Sequence, residues 1–194
     1  RGLGHEYLAL TDHSPRLRVA NGLSPERLRA QLEEIPAYSD DGFTLLSGIE
    51  VDILDVQLRQ DWGYNLIKPL SGTLPDDFHE TRVLNIPLDR ARMVGRMPWG
   101  LDLPLKPFFG VMGVSPPPAW GRISSLIPRA MGGNLDNKEL GAGAKLYLPV
   151  FVPGALFSCG DGHGVQGDGE VCVTALETGL TGTFRLTVRK DLSD

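Results

Sequence analysis

The sequence predicts a mainly β body preceded by one β-α-β unit, and three observations carry that expectation. Glycine and proline are in excess, at 24 and 15 residues, which argues for many turns joining short strands rather than for long helices. In Leu84-Asn85-Ile86-Pro87-Leu88 and Phe184-Arg185-Leu186-Thr187-Val188-Arg189 apolar residues alternate with others, the period of a half-buried strand. The first 55 residues have a different pattern, strand then helix then strand.

In that first segment Tyr7-Leu8-Ala9-Leu10 is a short apolar run suited to a buried strand. Ser24 offers an N-cap oxygen, Pro25 fits the first helical position, and Leu28, Leu32 and Ile35 recur on one helical face until Pro36 stops it. The apolar run Phe43 to Val51 reads as the second strand. This alternation places the two strands parallel with the helix as crossover, a unit of a larger α/β barrel or sheet. Further along, Leu146 to Val152 and Val171 to Thr178 read as buried strands, and the stretch from Pro98 to Pro118, dense in Pro and Gly, reads as a wandering, packed loop.

Charge divides the chain at the same place as the pattern. Residues 1–55 hold 5 basic and 10 acidic side chains, whereas 56–194 hold 14 of each, so all of the formal net charge of −5 lies in the first segment. Glycine and proline follow the opposite bias, with 5 and 3 before residue 56 and 19 and 12 after it. An acidic chain with no basic footprint excludes a phosphate backbone or an anionic membrane surface as a partner. The longest apolar run, Leu146 to Cys159, is broken by Pro149 and Pro153 and is too short to span a bilayer. With only Cys159 and Cys172 and no basic-apolar leader at the start, a cytoplasmic protein is expected, and a first residue Arg1 in place of Met predicts a fragment.

The densest chemistry lies in Gly160-Asp161-Gly162-His163-Gly164-Val165-Gln166-Gly167-Asp168-Gly169-Glu170. The glycines let the backbone turn sharply and approach a ligand closely. In an extended segment Asp161 and His163 point to one face, as do Asp168 and Glu170. A carboxylate oxygen and an imidazole nitrogen on one face suit a divalent ion such as zinc, and a nearby carboxylate can take a proton from water. Two ligands do not close a site. Asn134 and Asp136, alternate residues beside paired glycines, are candidates for the remainder, and an Asx turn is the competing reading of that pair.

The runs Lys106 to Gly113, Gly132-Gly133-Asn134-Leu135-Asp136, Leu146 to Val150, Pro153 to Ser158 and the Gly-Asp-Gly-His loop occur in an order and spacing that resemble the acetamidase/formamidase family. The resemblance covers about residues 62–194 and organises 56–194 as a partial domain of that kind. It implies a β-sandwich or barrel-like amidase core that hydrolyses formamide- or acetamide-type substrates to carboxylate and ammonia. It further implies Asp161 and His163 in a site that holds a divalent metal, zinc being the expected ion, with Asp136 the candidate for a further ligand. Glu170 and Asp168 are then the acid/base candidates, and Asn134 and Gln166 the substrate-binding ones. The chemistry needs those types, because a Lewis-acidic ion polarises the poor amide electrophile and a carboxylate returns a proton to the departing nitrogen.

The first segment is similar to something else. Thr11-Asp12-His13-Ser14 after a strand, Ala20-Asn21-Gly22-Leu23 before the helix and Gly48-Ile49-Glu50-Val51-Asp52 closing the second strand resemble the polymerase and histidinol phosphatase (PHP) domain of bacterial family X DNA polymerases. Residues 1–55 are then a partial fragment of that β/α barrel. The resemblance implies Asp12, His13 and Glu50 as an alternative set of metal ligands, since barrel sites lie at the C-terminal ends of strands. A phosphoesterase fragment is thus the alternative function, and a chimeric chain that folds without chemistry is the third reading.

Other residues carry weaker expectations. Cys159 reads either as a nucleophile or as a small buried hydrophobe. Trp62, Trp99 and Trp120 read as core or loop-packing residues, with Trp99 or Trp120 also candidates for a pocket wall, and His5 and His79 as surface or structural. Strand edges left by truncated β layers are open to pairing with a second copy, which makes a homo-oligomer a candidate assembly.

Overall fold

In the computed structural model the residues described are 7–8, 44–45, 48–72 and 74–189. The expected helix from Ser24 to Ile35, and Asp12, His13 and His5 with it, lie outside them. The strands in chain order are β1 (Tyr7–Leu8), β2 (Thr44–Leu45), β3 (Gly48–Leu58), β4 (Trp62–Ile67), β5 (Arg82–Asp89), β6 (Val94–Arg96) and β7 (Asp102–Pro104). They continue as β8 (Phe108–Gly113), β9 (Gly132–Asn134), β10 (Lys145–Pro149), β11 (Ser158–Val165), β12 (Leu176–Glu177) and β13 (Leu180–Arg189). A 3-10 turn, Pro118–Trp120, follows β8.

Two antiparallel sheets make the body: β10-β3-β13, and β7-β6-β5-β4-β12-β11-β8-β9. A separate two-stranded ladder pairs β1 with β2 in parallel, Tyr7 opposite Thr44 and Leu8 opposite Leu45, the direction expected of the first segment. The mainly β class follows as the sequence pattern indicates.

Strand β3 runs unbroken through residues 55 and 56, where the composition changes. Its inward positions are Ile49, Val51 and Ile53, then Val56 and Leu58, all buried. The change from odd to even numbers has a visible cause. Ile53 faces Phe184 and Asp55 faces Thr183, so Leu54 is an extra residue with no partner on β13. A one-residue bulge flips the following side chains to the opposite face, which returns Val56 and Leu58 to the core and leaves Leu54 outside. The inward row then packs into three patches of the core. Ile49 and Val51 pack with Val114, Met131 and Leu148, Ile53 and Val56 with Phe109 and Met112, and Leu58 with Ile86, Leu88 and Leu176.

Several expectations change here. The stretch from Pro98 to Pro118 is not one loop, because it contains β7 and β8. The segment Phe108–Gly113 is free of proline and nearly wholly buried, and it pairs on both sides, with β11 and β9. Of the run from Val171 to Thr178 only Leu176–Glu177 forms a strand. Val171 and Val173 are exposed, and side chains take the place of a ladder: Asn65 donates to the Ala175 carbonyl at 2.9 Å and the Leu66 N–H to Thr174 Oγ1 at 3.0 Å. Strand β10 ends at Pro149, short of Val152. Trp62, Trp99 and Trp120 are exposed rather than core residues, Trp120 lying beside Phe151 with Arg129 over its ring. Cys159 is exposed, not a buried hydrophobe.

On the other face of the small sheet, Glu50 joins three strands. It faces Tyr147 of β10 and Thr187 of β13, and it accepts from Lys145 and, at 2.7 Å, from Arg189 Nη1. Lys145 also reaches Asp52 at 2.9 Å. Lys145, then Arg189, hold the Glu50 carboxyl well below the usual range, at about 2 against 4.5. A depressed carboxylate pKa gives stability that is fully present above the unfolded value and is lost as pH falls through the folded one. Acid titration of the folded chain is therefore expected to lower its melting temperature between pH 4.5 and about 2, and Glu50→Gln should flatten that part of the curve.

Candidate active site

A row of cross-strand neighbours organises the larger sheet. Phe108 of β8 faces His163 of β11, His163 faces Glu177 of β12, and Glu177 faces Tyr64 of β4. Opposite residues in an antiparallel pair project to the same side, so the register alone brings an imidazole beside a carboxylate. His163 is fully buried. Its ring stands edge-on to Phe108, centroids 5.0 Å apart at 84°, which fixes the ring plane.

Other elements bring further carboxylates to the same imidazole. Asp161, two residues earlier on β11, places Oδ2 3.4 Å from His163 Nε2. Glu170, from the loop after β11, lies at 3.4 Å and Glu177 at 3.5 Å. Asp136 follows β9 and joins the group from the far side of β8. The ligand atoms of Asp136, Asp161 and His163 lie within 4.8 Å of one another, as do those of His163, Glu170 and Glu177.

The backbone is bent to achieve this. Asp136 and Asp161 both have positive φ, 43° and 58°, a conformation that costs a non-glycine residue roughly 1–3 kcal/mol. Both have the short polar side chain that tolerates it best. Asp136 is held in place by its neighbours. Asn134 Nδ2 donates to its Oδ2 at 2.5 Å and Gln166 Nε2 to its main-chain oxygen at 2.7 Å. Glu177 is aimed by the Ala175 N–H, which donates to Oε1 at 2.9 Å. The Thr178 N–H donates to the Gly162 carbonyl at 2.7 Å, tying the end of β12 to β11.

The electrostatics follow from crowding. Burial, then the charges of Glu170 and Asp161, push the Asp136 carboxyl up to about 6, with His163 offsetting part of that. Burial and the neighbouring acids likewise raise Glu170 and Glu177. Asp161 moves down, because it interacts directly with His163. For His163 burial opposes protonation, yet Asp161, Glu177 and Glu170 outweigh it and the imidazole titrates above its ordinary value.

Polar atoms remain without partners among the described residues. Both nitrogens of His163, Oδ1 of Asp136 and Oε1 of Gln166 are buried and make no hydrogen bond. Leaving such a group unsatisfied costs about 1–3 kcal/mol, and buried polar atoms are otherwise nearly always paired. Four carboxylates converging on one unpaired imidazole fit the donor set of a divalent cation. Two groups could hold one: Asp136, Asp161 and His163, or His163, Glu170 and Glu177.

Of the residues expected from sequence, the fold gathers Asp161, His163, Asp136, Glu170, Asn134 and Gln166. Asp168 stays outside, because its side chain is 92% exposed and paired with Lys138 at 2.6 Å. Asp168 and Glu170 do not share a face, since the chain there is a turn rather than a strand. Glu50 of the alternative set is held by Lys145 and Arg189 on the smaller sheet, and His79 is exposed. Sequence reading missed Glu177, whose one signal is a carboxylate ending an otherwise apolar strand.

Parts of the chain are similar to known proteins. Residues 121–194 match the Acetamidase/Formamidase family. A putative formamidase of Schizosaccharomyces pombe is 60% identical over 40 residues, 21% of this chain and 10% of that protein. The crystal structure of an acetamidase from Bacillus halodurans superposes with a TM-score of 0.68 at 33% identity, covering 76% of this chain and 50% of that one. The chain thus spans about half the length of that structure. A different relative, DNA polymerase/3'-5' exonuclease PolX of Bacillus subtilis, is 51% identical over 53 residues, 26% of this chain and 9% of that protein. No helix among the described residues is long and apolar enough to cross a membrane.

A divalent cation taken up by this cluster, in hundredfold excess over its dissociation constant, should stabilise the folded chain by about 2.7 kcal/mol, read as a rise in melting temperature. His163→Ala is expected to lose that rise, whereas Asp168→Asn keeps it; equal shifts in the two variants contradict the site as drawn.

Proposed function

Because residues 121–194 match the acetamidase/formamidase family, we propose that this chain carries the site of a metal-dependent hydrolase of small aliphatic amides. The observation that carries the proposal is the buried His163, its nitrogens unpaired and its Nε2 3.4 to 3.5 Å from three carboxylates. A divalent cation, zinc in the first instance, held by Asp136, Asp161 and His163 supplies Lewis acidity toward the amide carbonyl.

The chain's own residues do the rest. Glu170 has a raised pKa, which suits a group that must accept a proton from the attacking water and then release it to the departing nitrogen. Its placement beside His163, rather than out in solvent like Asp168, favours Glu170 alone for that role. The unpaired, buried Oε1 of Gln166 is an acceptor for a substrate N–H, and its Nε2 is already occupied by the Asp136 carbonyl, which fixes the amide orientation. Asn134 restrains one oxygen of Asp136 and leaves the other free for the cation. Glu177 places its charge 3.5 Å from His163 Nε2 on the β12 side. Products are the short carboxylate and ammonia.

Ammonia release from formamide and acetamide with zinc supplied is the direct assay. Release by the chain should exceed that of His163→Ala, and Glu170→Gln should lower kcat by about 100-fold or more; indistinguishable rates for all three proteins reject the reading.

A further inference from the structure

The cluster is possible only because one residue beneath it has no side chain, and that residue is Gly110 of β8. Strand β8 lies between β11 and β9, so it separates the elements that carry Asp161 and His163 from the one that carries Asp136. A Cβ built on Gly110 would stand 2.7 Å from Asp136 Oδ1, 2.8 Å from Asp161 Oδ2 and 2.8 Å from His163 Cε1. These are the three residues assigned above to the cation. All three distances are shorter than carbon tolerates against a non-bonded neighbour.

The main chain of the same residue acts on the same group. Its carbonyl accepts the Leu135 N–H at 2.8 Å and the Asp136 N–H at 3.1 Å. Both bonds hold the turn in which Asp136 takes its positive φ. Gly110 therefore anchors Asp136 through its oxygen and gives that carboxylate room to swing toward Asp161 and His163 through its missing side chain. Its own φ is not positive, so conformational freedom is not the reason for a glycine here. The space above it is.

We propose that Gly110 is a positioning residue for the cation: any side chain at this place occupies the volume in which the ligands of Asp136, Asp161 and His163 converge. The inference rests on the cation reading given above. The three nearest atoms that a new Cβ would meet belong to side chains rather than to the backbone, so the two carboxylates can turn away and the sheet keeps its hydrogen bonds. Gly110→Ala is expected to keep its fold and lose the cation.

Gly160 of β11 provides the matched control, since a Cβ there meets nothing within 4 Å, although it is adjacent to Asp161. Zinc affinity of the full chain, measured by competition with a chromophoric chelator, should be unchanged in Gly160→Ala and weakened roughly tenfold or more in Gly110→Ala. Circular dichroism and melting temperature of both metal-free variants should match the wild type. Equal zinc affinity in Gly110→Ala and wild type overturns the inference. So does a metal-free Gly110→Ala that fails to fold, because the glycine would then serve the sheet and not the ligands. A wild-type chain that takes up no zinc removes the cation reading itself, an outcome separate from the other two.

Discussion

The antiparallel register of β8, β11 and β12 places His163 between Phe108 and Glu177, and the rest of the site depends on that placement. Phe108 supplies an apolar wall that excludes water from the imidazole, while Glu177 brings a carboxylate to it. An aromatic edge on one side and an acid on the other leave the ring nitrogens buried and without a fixed partner. Sliding either ladder by one residue would turn His163 or its neighbours to the opposite face. The core under β3 resists such a slide. Phe109 and Met112 from β8 and Leu176 from β12 are packed beneath Ile53, Val56 and Leu58, so the register that makes the core also makes the site.

Charge is the feature this arrangement must tolerate. Asp136, Asp161, Glu170 and Glu177 surround one imidazole, and three of the four carboxyls are pushed upward in pKa by burial and by one another. Such crowding is a destabilising arrangement for an isolated fold, and positive φ at Asp136 and Asp161 adds backbone strain. Strain and like-charge crowding persist at sites where a ligand offsets them. The contrast with Glu50 is informative. There a buried carboxylate is paired with Lys145 and Arg189, its pKa falls rather than rises, and the group has the character of a structural clamp.

Loops complete what the sheets begin. Asp136 and Glu170 are not in strands, yet each is tied to one: Asp136 through the Gly110 carbonyl and Glu170 through the short connection into β12. Gln166 donates to the main-chain carbonyl of Asp136 and so joins the two loops to each other. Lys138 and Asp168 pair outside this joint, on the solvent side, where an ion pair contributes little.

The sequence by itself determined the mainly β class, the parallel pairing of the first two strands, and the joint presentation of Asp161 and His163 with the glycines that flank them. Period-two alternation and turn residues are local properties, and local properties are legible along a chain. It did not determine which acids meet the imidazole. Asp168 and Glu170 share a spacing but not a fate, because the segment that holds them is a turn. Glu177 carries only the weak signal of a carboxylate in an apolar run and Gly110 none of its role; Gly110 lies about fifty residues from His163, and the two become neighbours through the order of strands in the sheet. The bulge at Leu54 is invisible for the same reason, being a mismatch between two strands rather than a property of either. Tertiary structure decided these points because cross-strand register is set by packing of the whole core, and a single strand does not contain its partner.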